Sequence, residues 1–346
     1  MNPTQLARRW ALLPVLCFLA SCAPEPDVVL RVALDKEFSE EMVARFERET
    51  GLTVEAIYDV EAQKTVGHVE ALRAESGTPR TDVFWNNEFA HTVALAEEGL
   101  LVPYQSPAAA DIPALYKDPE HRWTGFAARV RVFIVNTDQI DPSEVGSMAD
   151  LLDPKWAGKC TMAVPLTGTT LTHMAALYSV LGEEAAREHV RALKAANESG
   201  QLSLVRSNGE VMRSVRDGTF AFGWTDTDDY NVALTENYPV ARVFPDQADD
   251  GEESALGAMV IPNTVGLVNG APHPEAAKQL IDWILNENVE AALAQSRSAQ
   301  IPVRDSVPRP ADMVQLGDLD VMQLDYAAVG REMVRRHEEM KELFND

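Results

Sequence analysis

The densest run of chemistry-bearing side chains is Gly223-Trp224-Thr225-Asp226-Thr227-Asp228-Asp229-Tyr230, which packs three carboxylates into four residues. It follows an apolar stretch that reads as a strand, so it falls at a strand's C-terminal end, where open α/β sheets bind ligands. Carboxylates this close raise one another's pKa, and burial adds to the effect. Turned into a cleft, they require a positive or hydrogen-bond-donating guest. Turned outward, they make a solvated acidic turn that caps the next helix, with Asp226 or Thr227 as N-cap. Clustered carboxylates suit hard cations. Trp85 and Trp224, each at an expected strand end, are core residues by type but could also wall in an amine. The Asp-Thr-Asp spacing is not an EF-hand: Asn231 stands where the loop glycine belongs and Asn237 where the final glutamate belongs.

A second constellation could hold an anion. Pro165-Leu166-Thr167-Gly168-Thr169-Thr170 precedes an apolar helix. Thr167, Gly168 and Thr169 would then offer hydroxyls and backbone amides at a helix N-terminus, with Asn208 at the start of a later helix beside them. A plain N-cap explains the same residues. Other chemistries find little support. The 7 histidines are scattered without paired metal spacing, and no Gly-x-Ser-x-Gly elbow marks a hydrolase.

The elements that must position these residues alternate. Strands are expected over 28–34, 53–58, 81–85, 129–136 and 219–225. Helices are expected over 38–50, 88–98, 183–197, 208–217 and 273–288. Phe38, Met42, Val43 and Phe46 recur at helical spacing before Gly51, Ser207 and Glu210 form a capping box, and Pro274 opens the last helix. Such alternation predicts an α/β fold built on mostly parallel sheets. The 346 residues suffice for two lobes, and a formal charge of −24 excludes nucleic acid as a partner. Arg8-Arg9 and the apolar run of residues 10–18 read as an export signal of residues 1–21, and Leu19-Ala20-Ser21-Cys22 resembles the lipobox of bacterial lipoproteins, which implies lipidation of Cys22 as the new N-terminus. Residues 22–27 form a tether. Of the 3 cysteines only Cys160 would then remain unmodified, so no disulfide framework is expected.

Several stretches, in order over residues 28–304, resemble the type II periplasmic solute-binding proteins of ABC importers, in the ferric-iron-binding branch. They are Glu47-Arg48-Glu49-Thr50-Gly51, Thr81-Asp82-Val83-Phe84-Trp85, Leu95-Ala96-Glu97-Glu98-Gly99, Leu151-Leu152-Asp153-Pro154-Lys155-Trp156-Ala157-Gly158-Lys159, Arg206-Ser207-Asn208 and His273-Pro274-Glu275-Ala276-Ala277. The resemblance implies two α/β lobes: 27–126 plus 258–300, and 127–257, with a C-terminal helical segment, 301–346, packing across them. Crossing strands would lie near 127–136 and 257–267. It also implies hinge closure on a solute, a permease and an ATPase as partners, a lipid anchor at Cys22 and a monomeric receptor without catalysis.

One departure bears on the ligand. Members that bind naked ferric iron use two adjacent tyrosines, a histidine near the first strand and an acid after the third. Asp228 and Asp229 fall at the tyrosine positions here, Asp35 falls at the histidine, and Asn87 or Glu88 covers the acid. Tyr230 comes one step late. The implied metal set is Asp226, Asp228, Asp229, Asp35 and Glu88, with Thr167, Gly168, Thr169 and Asn208 where the family holds a phosphate or carbonate. Ferric iron, or another hard cation with a bound anion, is the expected cargo. An organic cation or phosphorylated solute, a metal-assisted envelope phosphoesterase, and a sensory subunit are the alternatives.

Overall fold

The computed structural model describes residues 25–58, 64–248 and 256–345. The expected signal and Cys22 lie outside the described residues. The chain begins with β1 (Val28–Val32), α1 (Lys36–Thr50), β2 (Val54–Tyr58), α2 (Lys64–Ala74), β3 (Val83–Asn86), α3 (Ala90–Glu97) and β4 (Leu101–Val102). A long strand, β5 (Thr124–Asn136), leads to β6 (Cys160–Ala163), α4 (Gly168–Leu181), α5 (Glu183–Glu198), β7 (Leu202–Val205) and α6 (Asn208–Arg216). Then come β8 (Phe222–Asp226), α7 (Thr227–Thr235), β9 (Val240–Val243), β10 (Val260–Val268), α8 (Pro274–Ile284), α9 (Glu287–Gln295) and α10 (Tyr326–Phe344). No helix among the described residues is long and apolar enough to cross a membrane.

The strands run in the order β2-β1-β3-β10-β5-β8-β6-β7, with β4 beside β10 and β9 beside β5. Pairing is parallel within the body of each half, β2-β1-β3 and β8-β6-β7. The two central strands run against it. β10 is antiparallel to β3, and β5 is antiparallel to both β10 and β8. Residues Thr124 to Val130 of β5 pair with β10, while Arg131 to Val135 pair with β8. One strand therefore belongs to both halves of the sheet. It starts five residues earlier than the sequence pattern suggests, because Gly125, Ala127 and Ala128 are weak strand formers that pairing with β10 overrides.

Local signals explain the helices that hold the frame. In α1, Phe38, Met42, Val43 and Phe46 are buried on one face, and Gly51 at φ 75° ends the helix by donating to the Glu47 carbonyl. The single helix expected over 273–288 is two helices, because Asn286 accepts from the Asn288 amide and starts α9 anew. α10 packs across both halves, against α3 and α4. Gly330 allows this approach, since a Cβ there would come within 2.5 Å of Val93 Cγ1. Arg331 pairs with Glu97 of α3 at 2.8 Å, and Glu339 pairs with Arg187 of α5 at 2.8 Å.

The junction is marked by irregular backbone. Ala127 has φ 38°, and the β5–β10 register shifts between Pro262 and Asn263. Glu290 of α9, fully buried, grips this point by accepting from the Ala127 amide at 2.9 Å and the Val303 amide at 2.7 Å. Its other oxygen meets the buried Arg304 at 2.9 Å. Removing one member of such a pair strands a buried charge, so Glu290→Ala is expected to cost about 3–5 kcal/mol of stability in denaturant unfolding. A loss under about 1 kcal/mol would show that the grip is solvated.

Candidate functional site

The acidic run straddles the end of β8 and the start of α7, facing the junction of the two halves. One oxygen from each of Asp226, Asp228 and Asp229 lies within 4.8 Å of the others. Strand alternation and register explain the arrangement. Arg131 of β5 stands directly opposite Asp226 of β8, and Arg129 lies on the same face two residues before it. Both arginines are buried, at 8% and 0% exposure. Arg131 donates to Asp226 at 2.7 Å and to the Thr169 and Thr170 hydroxyls at 3.1 and 3.3 Å. Arg129 donates to Asp228 at 3.0 Å and to the Asn87 carbonyl at 2.7 Å.

Asp226 is thereby spoken for. It also accepts from the Thr169 hydroxyl at 2.7 Å and the Asn208 amide at 3.0 Å. Burial would raise its pKa, but Arg131 and Arg129 outweigh burial and hold it below the usual carboxylate range. In Arg131, burial wins over Asp226 and lowers the guanidinium from its ordinary value, although at 2.7 Å both partners stay charged. Asp228 and Asp229 behave oppositely. Burial leads, the neighbouring acids add to it, and both carboxyls are pushed up, Asp229 to about 8. Asp229 accepts from the Thr225 hydroxyl at 2.6 Å, and its own amide donates to Asp228 at 3.0 Å.

The remaining expected residues divide. Asp35, exposed at the N-cap of α1, lies close enough for its charge to help raise Asp228. Asn87 contributes its carbonyl to Arg129. Glu88 is fully buried and caps α3, accepting from the Ala90 amide at 2.6 Å, the His91 amide at 3.1 Å and Asn86 at 2.8 Å. Burial pushes it up, but His91 at 2.8 Å and these donors bring it below its ordinary value. A carboxylate satisfied in this way holds a helix end rather than facing the acidic group. Thr172 of α4 reaches Glu88 across the junction at 3.3 Å.

Thr169 and Asn208 are drawn into the Asp226 network, with Asn208 donating to Thr169 at 2.7 Å. Of the expected anion group, Thr167 and Gly168 stay at the α4 N-terminus. Thr167 makes no side-chain cap there, and Gly168 sits at φ 59°. Thr227 uses its hydroxyl to accept from the Val130 amide at 3.2 Å. Trp224 is buried with Arg131 stacked 4.1 Å from its ring centre, so that face is already taken. Trp85 is buried against Phe126. Tyr230 points away from the acids into a separate core cluster with Val132, Ile134 and Val211, under Arg242. The i+1 step from Asp229 turns it to another side of α7, so it does not supply a phenolate to the cluster. Cys160 is buried, which pushes its thiol up to about 12, as an inert strand residue requires.

The sequence reading missed Arg129 and Arg131. Their signal was there: two like charges at strand spacing inside an otherwise apolar run. Such a pair cannot be buried without counter-charges.

A sheet crossed by shared strands, with an acidic strand end at the junction, defines a two-lobed solute-binding protein. The chain belongs to the bacterial extracellular solute-binding proteins, whose family model matches residues 41–319. It is 26% identical over 296 residues to iron uptake protein A1 of Synechocystis, covering 82% of this chain and 78% of that one. It is 29% identical over 251 residues to a putative 2-aminoethylphosphonate-binding periplasmic protein of Salmonella typhi, covering 70% and 68%. Iron-bound HitA from Pseudomonas aeruginosa superposes with a TM-score of 0.78 at 22% identity, covering 90% of this chain and 98% of that one.

The raised Asp229 has a signed consequence. Its folded pKa of about 8 lies above the ordinary 3.8, so the folded chain holds this proton more tightly than the unfolded chain does. Its contribution to stability is full below about pH 4 and is lost as pH rises towards 8. Melting curves of Asp229→Asn should lose less stability than the parent chain between pH 4 and 8. Parallel pH profiles would mean that Asp229 is already ionised in this window.

Proposed function

We propose that this chain is the capturing receptor of an ABC importer and that it holds a hard metal cation, ferric iron first, between its lobes. The observation that carries this is the meeting of Asp226, Asp228 and Asp229 within 4.8 Å at the lobe junction. Asp228 and Asp229 are the ligands, Asp35 approaches from the other lobe, and Asp226 keeps the arginines in place. The relatives' names divide between iron and an aminophosphonate, and an excess of carboxylate over guanidinium favours the cation. An accompanying anion would use the α4 N-terminus at Thr167 and Gly168.

The lobes would comprise 27–126 with 258–300, and 127–257, hinged where β5 and β10 cross. Closure brings Asp35 towards Asp228 and Asp229, so the cation favours the closed form by binding it better. A permease and ATPase would receive that form. Cys22 would carry the lipid that keeps the receptor, a monomer, at the membrane. No catalysis is proposed: Asp226 is fully engaged, and Cys160 is not an activated nucleophile.

The test is metal loading of the delipidated chain, read by elemental analysis and thermal shift. Ferric iron should stabilise the parent chain. The doubly substituted Asp228→Ala, Asp229→Ala chain should bind it about 100-fold more weakly, at one factor of ten per lost carboxylate. Affinity should rise with pH as Asp229 gives up its proton, and the complex should lack an intense phenolate-to-iron colour. Equal loading of parent and variant would place the metal elsewhere.

A further inference from the structure

Two buried arginines sit two residues apart on one face of β5, yet their bonds differ in kind. Arg131 binds Asp226, Thr169 and Thr170, all on the β8 side of the junction. Arg129 divides its fork. Nη1 donates to Asp228 on α7 at 3.0 Å, and Nη2 donates to the Asn87 carbonyl, just past β3, at 2.7 Å. Its Nε, like that of Arg131, is buried and finds no hydrogen-bond partner among the described residues. The guanidinium therefore spans the two halves with one bond to each and keeps a donor in reserve. Asp228 is also one of the two carboxylates left to a guest once Arg131 has taken Asp226.

We propose that Arg129 is the cleft's own cation, tying the lobes together through Asp228 and Asn87 and yielding Asp228 when a guest cation enters. The idea rests on the receptor reading above and narrows its cargo. A monovalent ammonium displacing Arg129 from Asp228 would exchange one positive charge for another and leave the buried guanidinium with only Asp226, 3.8 Å away and already paired with Arg131, as counter-charge, which is costly. A multivalent metal ion brings more charge to the same carboxylates than Arg129 removes. The exchange thus selects multivalent metals over singly charged amines. It also sets affinity by competition, since every guest must overcome the same internal ion pair.

The experiment uses the full mature chain with Arg129→Gln and Arg129→Lys. Lysine keeps the charge that the buried Asp226 and the half-buried Asp228 need, but its compact ammonium does not reproduce the fork that reaches both acceptors. Small-angle scattering without metal reads the tie alone: both variants should have a larger radius of gyration than the parent chain. Luminescence titration with terbium(III), a hard trivalent probe, reads the competition. Arg129→Gln should bind at least about 10-fold more tightly than the parent chain once the like charge is gone. Unchanged radii in both variants, or terbium affinity that is unchanged or weaker in Arg129→Gln, would overturn the assignment. Should Arg129→Gln fail to fold, the radius of Arg129→Lys decides. Absence of terbium binding in parent and variants alike would refute the cation-receptor reading instead, and the radii would still decide the tie.

Discussion

Two guanidinium groups buried on one strand are the constraint around which this molecule is arranged. Arg129 and Arg131 lie in β5, which both halves of the sheet share, so neither charge can retreat to the surface. A buried charge without a partner costs several kcal/mol, so carboxylates must be delivered to this one place. β8 delivers Asp226 by strand register, and the first turn of α7 delivers Asp228. Thr169, Thr170 and Asn208 then take up further lone pairs and protons of the pair Arg131 and Asp226, while the Nε of each arginine finds no partner among the described residues. With two arginines matched to two aspartates, Asp229 is the acid left over, and it faces a hydroxyl rather than a cation. On the receptor reading proposed above, this small local surplus is what would favour an added positive charge.

Much of the frame could be read from residue types. Apolar spacing in α1, Gly51 as its stop and the alternation of strands with helices all follow from local physics, and the structure shows the same elements. The acidic turn was legible too, because three acids in four residues after an apolar strand place carboxylates at a strand end. What sequence could not supply was which acid does what. Asp226, Asp228 and Asp229 are chemically alike, and only cross-strand register decides that Asp226 meets Arg131 while Asp229 does not. Glu88 shows the same limit from the other side. It has the right type and place for a ligand, but three local donors and His91 claim it as a helix cap. Tyr230 was separated from its neighbours by the helical turn itself, which sends successive residues in different directions.

The arginines could have been found by asking a charge-balance question of β5. Pattern reading treats a strand of apolar residues with two charges as a strand with two exceptions. Electrostatics treats it as a demand for two counter-charges that the chain must meet elsewhere. The acid-rich segment at 226–229 is the answer to that demand, and the two segments taken together predict their contact. On the proposed reading, only the excess of acid over arginine is then left for an outside guest.

The hinge proposed between the lobes and the charge site occupy the same stretch of β5. Ala127 lies only two residues before Arg129, and its positive φ is held by the carboxylate of Glu290 from α9. Any rotation of the halves about that point must therefore move Arg129 relative to Asn87 on one side and Asp228 on the other. α10 packs on α3 and α4 together and so ties the two halves at a second place. On the reading proposed above, a guest that changes the balance of charge around Arg129 would act on the hinge directly, within one strand. On that reading no longer pathway would be needed to link capture to closure, because Ala127 and Arg129 share the same stretch of backbone.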